Sequence, residues 1–404
     1  MKKILLLSAI MAGAMSVNAQ SDFKVKEIAK LPVKNITNYD KTVMRSGYGF
    51  GDKFYMTDRG AQQLRVFDLG TGEEIAQKEI GANQALGHDE TGNAIIANWG
   101  FAGSNPVGSE TTFTLISADL KEMRTTEKVG SIQGRGDYLG KAKGNVFGKE
   151  GATLLASGAA QDLENKGIVC YTFTPSGGDT PLVSYSNVWD ADQKIGAGTW
   201  ATYNYYKDVD GTDRFVYVNR QAPLTDITFE EGEVLGDQTR SYSPEDRLPN
   251  KGVCNGGEIF VLGSRKFVVY GNVTSPTYLD GISIAEIGAD NKTLTTVYTQ
   301  EAKETTREMT TQGNWLNVEV LNDKQAKLYQ YFLGGYVAEY GISIDGAETP
   351  ETSGVKGIEN APAQVVSTTY YTAAGVASKT AVKGLNIVVT KYADGSQKVV
   401  KVIK

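Results

Sequence analysis

The sequence is poor in the residues on which much hydrolytic and metal-dependent chemistry depends. Its 404 residues include one His and two Cys. A Ser-His-Asp or Cys-His catalytic group would have to use that histidine, His88, which we predict to lie in a turn. Zinc sites built from several histidines are excluded by this count, and we expect neither a metal ion nor a cofactor. Cys170 and Cys254 fall in different, non-adjacent repeat units, so we expect free thiols.

Long apolar runs, phosphate-binding loops and basic clusters are also missing. The apolar stretch Ile4–Met15 has 12 residues, whereas a helix needs about 20 to cross a membrane. It lies between two lysines and the small-residue segment Val17–Ala19, which is the pattern of a signal peptide, and we expect residues 1–19 to be removed. No Gly-rich loop of Walker or dinucleotide type occurs in a strand-loop-helix setting. The formal net charge is −6, which makes nucleic acid a poor partner.

The chain does contain a pattern that recurs six times: a turn, an apolar strand and a small residue, usually with Asp or Asn. A spacing of roughly 40–60 residues is typical of four-stranded propeller blades. The sequence therefore predicts an all-β, six-bladed β-propeller; five and seven blades are the alternatives, and a two-sheet sandwich explains the serial repeats less well. The copies are Lys53–Asp58, Asn93–Asn98, Ala152–Ser157, Arg214–Asn219, Lys266–Asn272 and Leu328–Gly334.

The two ends of the chain have separate roles. Residues 23–30 precede the first repeat, and we predict that they supply the outer strand of the last blade and so close the ring. Residues 347–362 are poor in apolar side chains and are predicted to link a propeller of residues 20–346 to a module of residues 363–404. This small C-terminal β module has three strand patterns and a hairpin turn at Asp394–Gly395.

The C-terminal module contains Gly375, Gly384 and Gly395 and ends in a strand with Lys401 and Lys404. At these positions it resembles the sorting domains of type IX secretion cargo in Gram-negative bacteria. The resemblance implies export through the periplasm to the cell surface or the medium, with the secretion machinery as a partner. Asn386 departs from the family, which usually has an aromatic residue there, and Val376 stands in place of a basic residue. The body is similar, at the level of pattern, to secreted bacterial propeller proteins of uncharacterised function.

One face of the propeller collects polar and aromatic residues. In propellers, the loops between the second and third strands and the connections between blades share a face where ligands usually bind, an analogy at the level of fold. Amide, carboxylate, guanidinium and indole groups together suit sugar or peptide recognition, although the same residues also cap turns and pack between blades. The predicted face comprises Asp58, Arg59, Asn98, Trp99, Arg135, Asp137, Trp200, Asn219, Arg220, Asn272, Asn314 and Trp315.

These features predict a secreted or cell-surface module that binds a glycan or peptide without catalysis, and we assign no catalytic residue. One alternative is a carbohydrate-active enzyme with paired carboxylates, for which Asp58 or Asp137 could serve. Another is a structural subunit of a surface assembly, which would expose a large apolar patch. The cluster Asp208, Asp210 and Asp213 offers oxygens to Ca²⁺, but the sequence favours a solvated β-turn.

Overall fold

The structure is a computed structural model that describes residues 22–81, 84–98, 110–130, 138–158, 167–174, 182–189, 202–218, 224–230, 233–244, 256–272, 280–302, 314–351, 365–372, 377–392 and 397–403. Within these ranges the chain is all-β apart from one 3₁₀ turn, Val33–Asn35. No helix of the described residues is long and apolar enough to span a membrane. The chain divides after Thr352 into two compact units, and the predicted linker of residues 347–362 spans this division.

The first unit is a β-propeller of six four-stranded blades, as the repeats predict. The first strand, β1 (Lys24–Pro32), belongs to the last blade. Blade 1 comprises β2 (Gly47–Phe50), β3 (Lys53–Asp58), β4 (Gln63–Asp68) and β5 (Glu74–Glu79). Blade 2 comprises β6 (Gln84–His88), β7 (Ala94–Asn98), β9 (Phe113–Ile116) and β10 (Met123–Thr125), with a side pair of β8 (Glu110–Thr111) and β11 (Val129–Gly130).

The remaining blades follow in chain order. In blade 3, β12 (Tyr138–Lys141) and β13 (Lys143–Gly144) form the inner strand, followed by β14 (Ala152–Gly158), β15 (Gly167–Thr174) and β16 (Leu182–Trp189). Blade 4 comprises β17 (Thr202–Lys207), β18 (Asp213–Val218), β19 (Leu224–Glu230) and β20 (Glu233–Tyr242). Blade 5 comprises β21 (Gly257–Leu262), β22 (Arg265–Asn272), β23 (Gly281–Ile287) and β24 (Leu294–Gln300). Blade 6 comprises β25 (Asn314–Asn322), β26 (Gln325–Phe332), β27 (Tyr336–Ser343) and β1.

Position within a blade explains the two kinds of strand in the sequence. Second strands such as β18 are covered on both sides by neighbouring blades, so Phe215, Val216, Tyr217 and Val218 are all buried. Outer strands such as β5 alternate between half-buried and exposed residues because only one side is covered. The continuous apolar runs that reveal the repeats are therefore the second strands.

The N-terminal strand supplies the outer strand of the last blade and closes the ring, as predicted for residues 23–30. Strand β1 pairs antiparallel with β27, from Lys24 opposite Ser343 to Pro32 opposite Tyr336. One irregularity, between Glu27 and Ala29, interrupts the register. The pairing covers the hydrogen-bonding edge that β27 would otherwise leave open.

The centre of the ring has an arrangement that the repeats do not predict. Strand β12 pairs in parallel with the inner strands of both neighbouring blades, β6 and β17, so blades 2 and 4 are joined through it into one nine-stranded sheet. The strands approach closely because glycines lie at the contact. A Cβ atom on Gly87 would come within 2.6 Å of the Gly140 carbonyl oxygen, and Gly140 itself has a φ of +91°.

The second unit is a four-stranded sheet rather than the three strands predicted. Its strands are β28 (Val365–Thr372), β29 (Ala377–Ser378), β30 (Leu385–Tyr392) and β31 (Gln397–Ile403), in the order β29-β28-β30-β31. The hairpin of β30 and β31 is present, but its predicted turn, Asp394–Gly395, lies outside the described residues. Asn386 is buried and its amide bonds the backbone of Val382 and Gly384, so it holds the bend before β30 in place. Gly384 takes a φ of +102° at this bend and Lys401 is exposed, whereas Gly375, Gly395 and Lys404 lie outside the described residues.

Candidate functional site

A cavity of about 290 Å³ opens at the end of the inner strands where each turns into the second strand of its blade. All six blades contribute to its wall. We call it the channel pocket. Its lining residues are Phe50, His88, Asp89, Glu90, Lys141, Tyr205, Tyr206, Lys207, Ile259, Phe260, Val261, Asn317, Val318, Glu319 and Val320.

The parallel pairing at the centre brings two polar side chains of the pocket together. In the register of β12 and β6, Lys141 lies opposite His88, the last residue of its strand. Facing residues of a parallel pair project to the same side of the sheet. The irregular centre of the ring therefore places an ammonium beside an imidazole.

His88 is held neutral with a defined tautomer. It is 2% exposed, and its ring stacks on that of Tyr48 with centroids 4.5 Å apart. Burial, and then the charge of Lys141, lower the pKa of His88 to about 3. Its Nδ1 lies 3.0 Å from the Asp89 carbonyl oxygen. Because a carbonyl only accepts, Nδ1 carries the proton, and Nε2 is an acceptor that has no partner among the described residues.

Lys141 and Glu258 tie blades 3, 5 and 6 together beneath the pocket. Lys141 Nζ donates to the Val318 carbonyl oxygen at 3.3 Å and lies 3.7 Å from Glu258 Oε2. The same Oε2 accepts the Val318 backbone N–H at 2.6 Å. Burial raises the pKa of Glu258 to about 7, although Lys141 and the Val318 N–H oppose the shift. Near neutral pH this carboxyl group is therefore partly protonated.

The channel is also crossed deeper inside. Tyr138 in blade 3 and Trp315 in blade 6 lie on opposite sides of the ring, and their ring centroids are 5.1 Å apart. Both side chains are buried. Together with the Lys141 bond to Val318, this contact closes the channel pocket at its inner end.

Two carboxylates of the pocket wall, Asp89 and Glu319, accept hydrogen bonds that connect neighbouring turns and strands. Asp89 accepts backbone N–H groups from Thr91 and Val146 at 2.9 Å. Glu319 accepts the Gly51 N–H at 2.8 Å and the Tyr329 hydroxyl at 2.7 Å. These contacts fix the wall, whereas His88 Nε2 and the ammonium groups of Lys141 and Lys207 are polar groups that can meet a ligand.

The predicted ligand face lies at the other end of the strands, and six of its members are described. Asp58, Asn98 and Asn272 end second strands, while Asn314 and Trp315 begin an inner strand. The six members outside the described residues are Trp99, Arg135, Asp137, Trp200, Asn219 and Arg220.

Most of the described members make contacts within the protein. Asp58 is buried and accepts the Ala61 N–H at 2.9 Å, with half-buried Arg59 next to it. Asn98 donates to Thr112 Oγ1 at 3.1 Å, and Asn272 is buried at the end of its strand.

Asn314 and Trp315 anchor the start of the inner strand of blade 6. Asn314 donates to the Gly281 carbonyl oxygen at 3.1 Å, and the Trp315 N–H donates to the Arg45 carbonyl oxygen at 2.6 Å. Trp315 is 2% exposed, so its indole ring packs inside the channel.

The solvated turn predicted around Asp208 is wrong for that residue. Asp208 is 6% exposed, and both of its carboxylate oxygens lie 3.0 Å from Lys266 Nζ, with Arg240 at 3.1 Å from one of them. Two cations already bind the oxygens that Ca²⁺ would need. In the described part of the chain, no group of three or more His, Cys, Asp or Glu residues could hold a metal ion. Cys170 is a buried free thiol, and Cys254 lies outside the described residues.

Sequence reasoning missed the channel pocket for identifiable reasons. Each blade contributes one to four residues of the pocket, from its inner strand or the turn that follows. These residues are spread over some 270 positions of the sequence. His88 looks like part of an exposed Gly-His-Asp turn, although the turn begins at Asp89. The available signal was a charged residue in each of two otherwise apolar inner strands, Lys141 and Glu258.

No family model matches the sequence, and no curated protein matches it. Among solved structures, the chain is similar to the α-L-arabinofuranosidase Arb93A of Fusarium graminearum in complex with an iminosugar inhibitor, with a TM-score of 0.50, 13% identity, and coverage of 80% of this chain and 98% of that chain. A mutant of the same enzyme gives a TM-score of 0.50 at 11% identity, covering 79% and 98% of the two chains. A DUF4623 family protein from Bacteroides eggerthii covers 81% of this chain and 76% of its own at 10% identity, but its TM-score of 0.45 is too low to support a conclusion. At such identities the likeness to Arb93A shows the β-propeller fold alone.

Proposed function

We propose that this protein binds one unit of a saccharide, without cleaving it, in the channel pocket. The observation that carries the proposal is His88 Nε2, a buried acceptor in the pocket wall with no partner among the described residues. An unpaired buried polar atom costs about 1–3 kcal/mol, so such an atom in a cavity usually meets a water or a ligand.

The neighbours of His88 match the chemistry of a hydroxyl group. A hydroxyl both donates and accepts, so it can donate to His88 Nε2 and accept from Lys141 Nζ at the same time. Phe50 and Phe260 line the same cavity and offer apolar surface to the C–H groups of a sugar ring. A few fixed polar groups within an aromatic wall are typical of small-ligand sites.

The size of the pocket favours a single sugar unit. A volume of about 290 Å³ is at the lower limit of ligand pockets, which span roughly 300–1,000 Å³. The inner end is closed by Lys141 and by the contact of Tyr138 with Trp315. A ligand would therefore enter from the end where the inner strands turn, and a peptide would find little room for more than one side chain.

The fold neighbour supports a glycan over a peptide. Arb93A is an α-L-arabinofuranosidase and was solved with an iminosugar inhibitor, so a propeller of similar fold accommodates a sugar-like molecule. We place that likeness second to the pocket geometry, because function depends on the site and not on the fold.

Glycoside hydrolysis is the second candidate, and Glu258 favours it. A carboxyl group with a pKa of about 7 is suited to act as a general acid near neutral pH. Glu258 is buried beneath the pocket instead of lining it, and Glu319, the nearby carboxylate of the wall, is held by Gly51 and Tyr329. Binding without cleavage is therefore the better-supported function.

The decisive experiment is a glycan array probed with the full-length protein, followed by calorimetry on the glycans it retains. His88→Phe keeps a ring that can stack on Tyr48 and removes Nε2, and we expect it to weaken binding at least about tenfold, the loss of one good hydrogen bond. Lys141→Gln provides a second test from the opposite strand. Tyr242→Phe, which removes a buried hydroxyl in blade 4, is the matched control and should bind as the wild type does.

Two outcomes would reject this function. Absence of binding to every glycan by the wild type would remove the saccharide proposal, and equal binding by the wild type and both pocket variants would move the site elsewhere. Release of reducing ends that Glu258→Gln abolishes would establish the hydrolase instead.

We also propose that the protein is exported and acts outside the cell. The N-terminal signal pattern and the resemblance of the C-terminal module to type IX sorting domains support this. In a Gram-negative host with that system, deletion of residues 365–404 should leave the propeller in the periplasm. Appearance of the shortened protein at the surface or in the medium would contradict a sorting role.

A further inference from the structure

A second cavity, of about 740 Å³, lies on the opposite side of the propeller from the channel pocket. It is formed where β1 ends beside the turn between β26 and β27, and it shares no residue with the channel pocket. Three lysines line it: Lys30 belongs to β1, and Lys34 and Lys41 belong to the segment between blades 6 and 1. We call it the lysine cavity.

The charge of the lysine cavity is positive in a chain that is negative overall. The chain carries a formal charge of −6, yet three ammonium groups and one carboxylate, Asp40, line this cavity. Hydrogen bonds from the backbone and side chain of Thr42 lower the pKa of Asp40 and already use its Oδ1. Among the described residues, no carboxylate forms an ion pair with Lys30 or Lys34.

The backbone that carries these lysines is fixed to blade 6. The Val33 N–H donates to the Gly335 carbonyl oxygen at 3.0 Å. The Tyr39 hydroxyl accepts the Gly334 N–H at 2.8 Å and lies 3.0 Å from the Tyr331 hydroxyl. Because the Tyr331 hydroxyl donates to the Met44 carbonyl oxygen at 2.5 Å, Tyr39 donates to Tyr331.

Lys30 is held as well. Its Nζ lies 3.6 Å from the centroid of the buried Tyr336 ring, a cation–π contact that fixes the ammonium at the edge of the cavity. Positive groups ordered before a ligand arrives reduce the entropy lost on binding.

We propose that the lysine cavity binds a small molecule that carries several negative charges, as carboxylate, sulfate or phosphate groups. Lysine ammoniums are point charges on flexible stems, which suit charges spread over a ligand better than one planar carboxylate, for which arginine is preferred. A volume of about 740 Å³ accommodates a compact polyanion. The net negative charge of the rest of the chain disfavours a long polymer such as nucleic acid.

The test is isothermal titration of the full-length protein with citrate and with sucrose octasulfate, and with sucrose as the neutral probe. We expect at least one of the two anions to bind and sucrose not to bind here. Affinity should fall as NaCl is raised from 50 to about 500 mM, because salt screens the ammonium groups.

A charge-matched pair of variants locates the site. Lys30→Gln with Lys34→Gln should weaken anion binding by about tenfold or more, the loss of two charge-assisted contacts. Lys24→Gln with Lys26→Gln removes the same charge from the exposed far end of β1 and should leave affinity unchanged. Thermal unfolding of both pairs checks that each is folded.

Equal weakening by the two pairs, or no binding of either anion at low salt, would overturn the proposal. His88→Phe should not affect anion binding, since the two cavities share no residue. The proposals for the lysine cavity and for the channel pocket can therefore be rejected independently of each other.

Discussion

Single residues decide how closely the inner strands approach. Gly140 and Gly211 both have positive φ, +91° and +86°, but their surroundings differ. A Cβ at Gly140 would collide with the Tyr203 backbone, whereas nothing lies within 4 Å at Gly211. Alanine at either position incurs a left-handed backbone cost of about 1–2 kcal/mol. Only Gly140→Ala adds a clash with backbone that cannot rotate away.

We therefore expect Gly140→Ala to lower the free energy of unfolding by about 2 kcal/mol or more beyond Gly211→Ala. Urea denaturation of the two variants measures the difference. Equal values would show that the close approach of β12 and β17 does not stabilise the ring.

Two buried groups of the channel, Glu258 and His88, should make the free energy of unfolding depend on pH in opposite directions. The pKa of Glu258 is raised to about 7 in the folded protein. Its contribution to the free energy of unfolding is therefore complete below its pKa in the unfolded chain, near 4.5, and is lost as pH rises towards 7. The pKa of His88 is lowered to about 3 in the folded protein. Its contribution to the free energy of unfolding is therefore present above its pKa in the unfolded chain, near 6.5, and is lost as pH falls towards 3. Between about pH 4.5 and 6.5 the two slopes oppose each other.

Single substitutions should separate these slopes. Between pH 5 and 6.5, the free energy of unfolding of Glu258→Gln should rise relative to that of the wild type by up to about 1.4 kcal/mol per pH unit. That of His88→Phe should fall relative to the wild type by a similar amount per pH unit. Urea denaturation at several pH values measures both. Parallel curves for the three proteins would show that neither group is shifted by burial.

At the scale of strands, the features of this fold that the sequence predicts arise within single strands. The features it does not predict depend on contacts between residues far apart in the sequence. The second strand of each blade is buried on both sides, so its apolar run is visible in the sequence alone, and the closing strand β1 follows from the need to cover an edge. The double pairing of β12 depends on glycines some fifty residues apart, Gly87 and Gly140, which no repeat pattern connects. The channel pocket depends on that pairing and escaped prediction for the same reason.

Removal of the closing strand should expose the sheet edge of blade 6. We expect deletion of residues 22–32 to lower the unfolding temperature by roughly 10 °C or more and to promote aggregation, because β27 would lose its partner along its whole length. Differential scanning calorimetry and light scattering measure the two effects. A soluble protein with unchanged unfolding temperature would show that β1 does not close the ring.

For the whole molecule, the division after Thr352 predicts separate unfolding. A protein that ends at Thr352 should keep the thermal transition of the propeller within about 2 °C, since the second unit has its own sheet. Calorimetry of the full-length and shortened proteins tests this. Loss of the main transition in the shortened protein would mean that the second unit is required for the propeller to be stable.

The nine-stranded sheet also constrains how this ring can change in evolution. Propellers gain or lose blades by duplication or deletion of a repeat, which requires each blade to be a separable unit. Here the inner strand of blade 3 is hydrogen-bonded to the inner strands on both sides. Insertion or removal of a blade between blades 2 and 4 would break that pairing, whereas blades 5, 6 and 1 have their own four-stranded sheets. Relatives with a different number of blades should therefore differ among blades 5, 6 and 1.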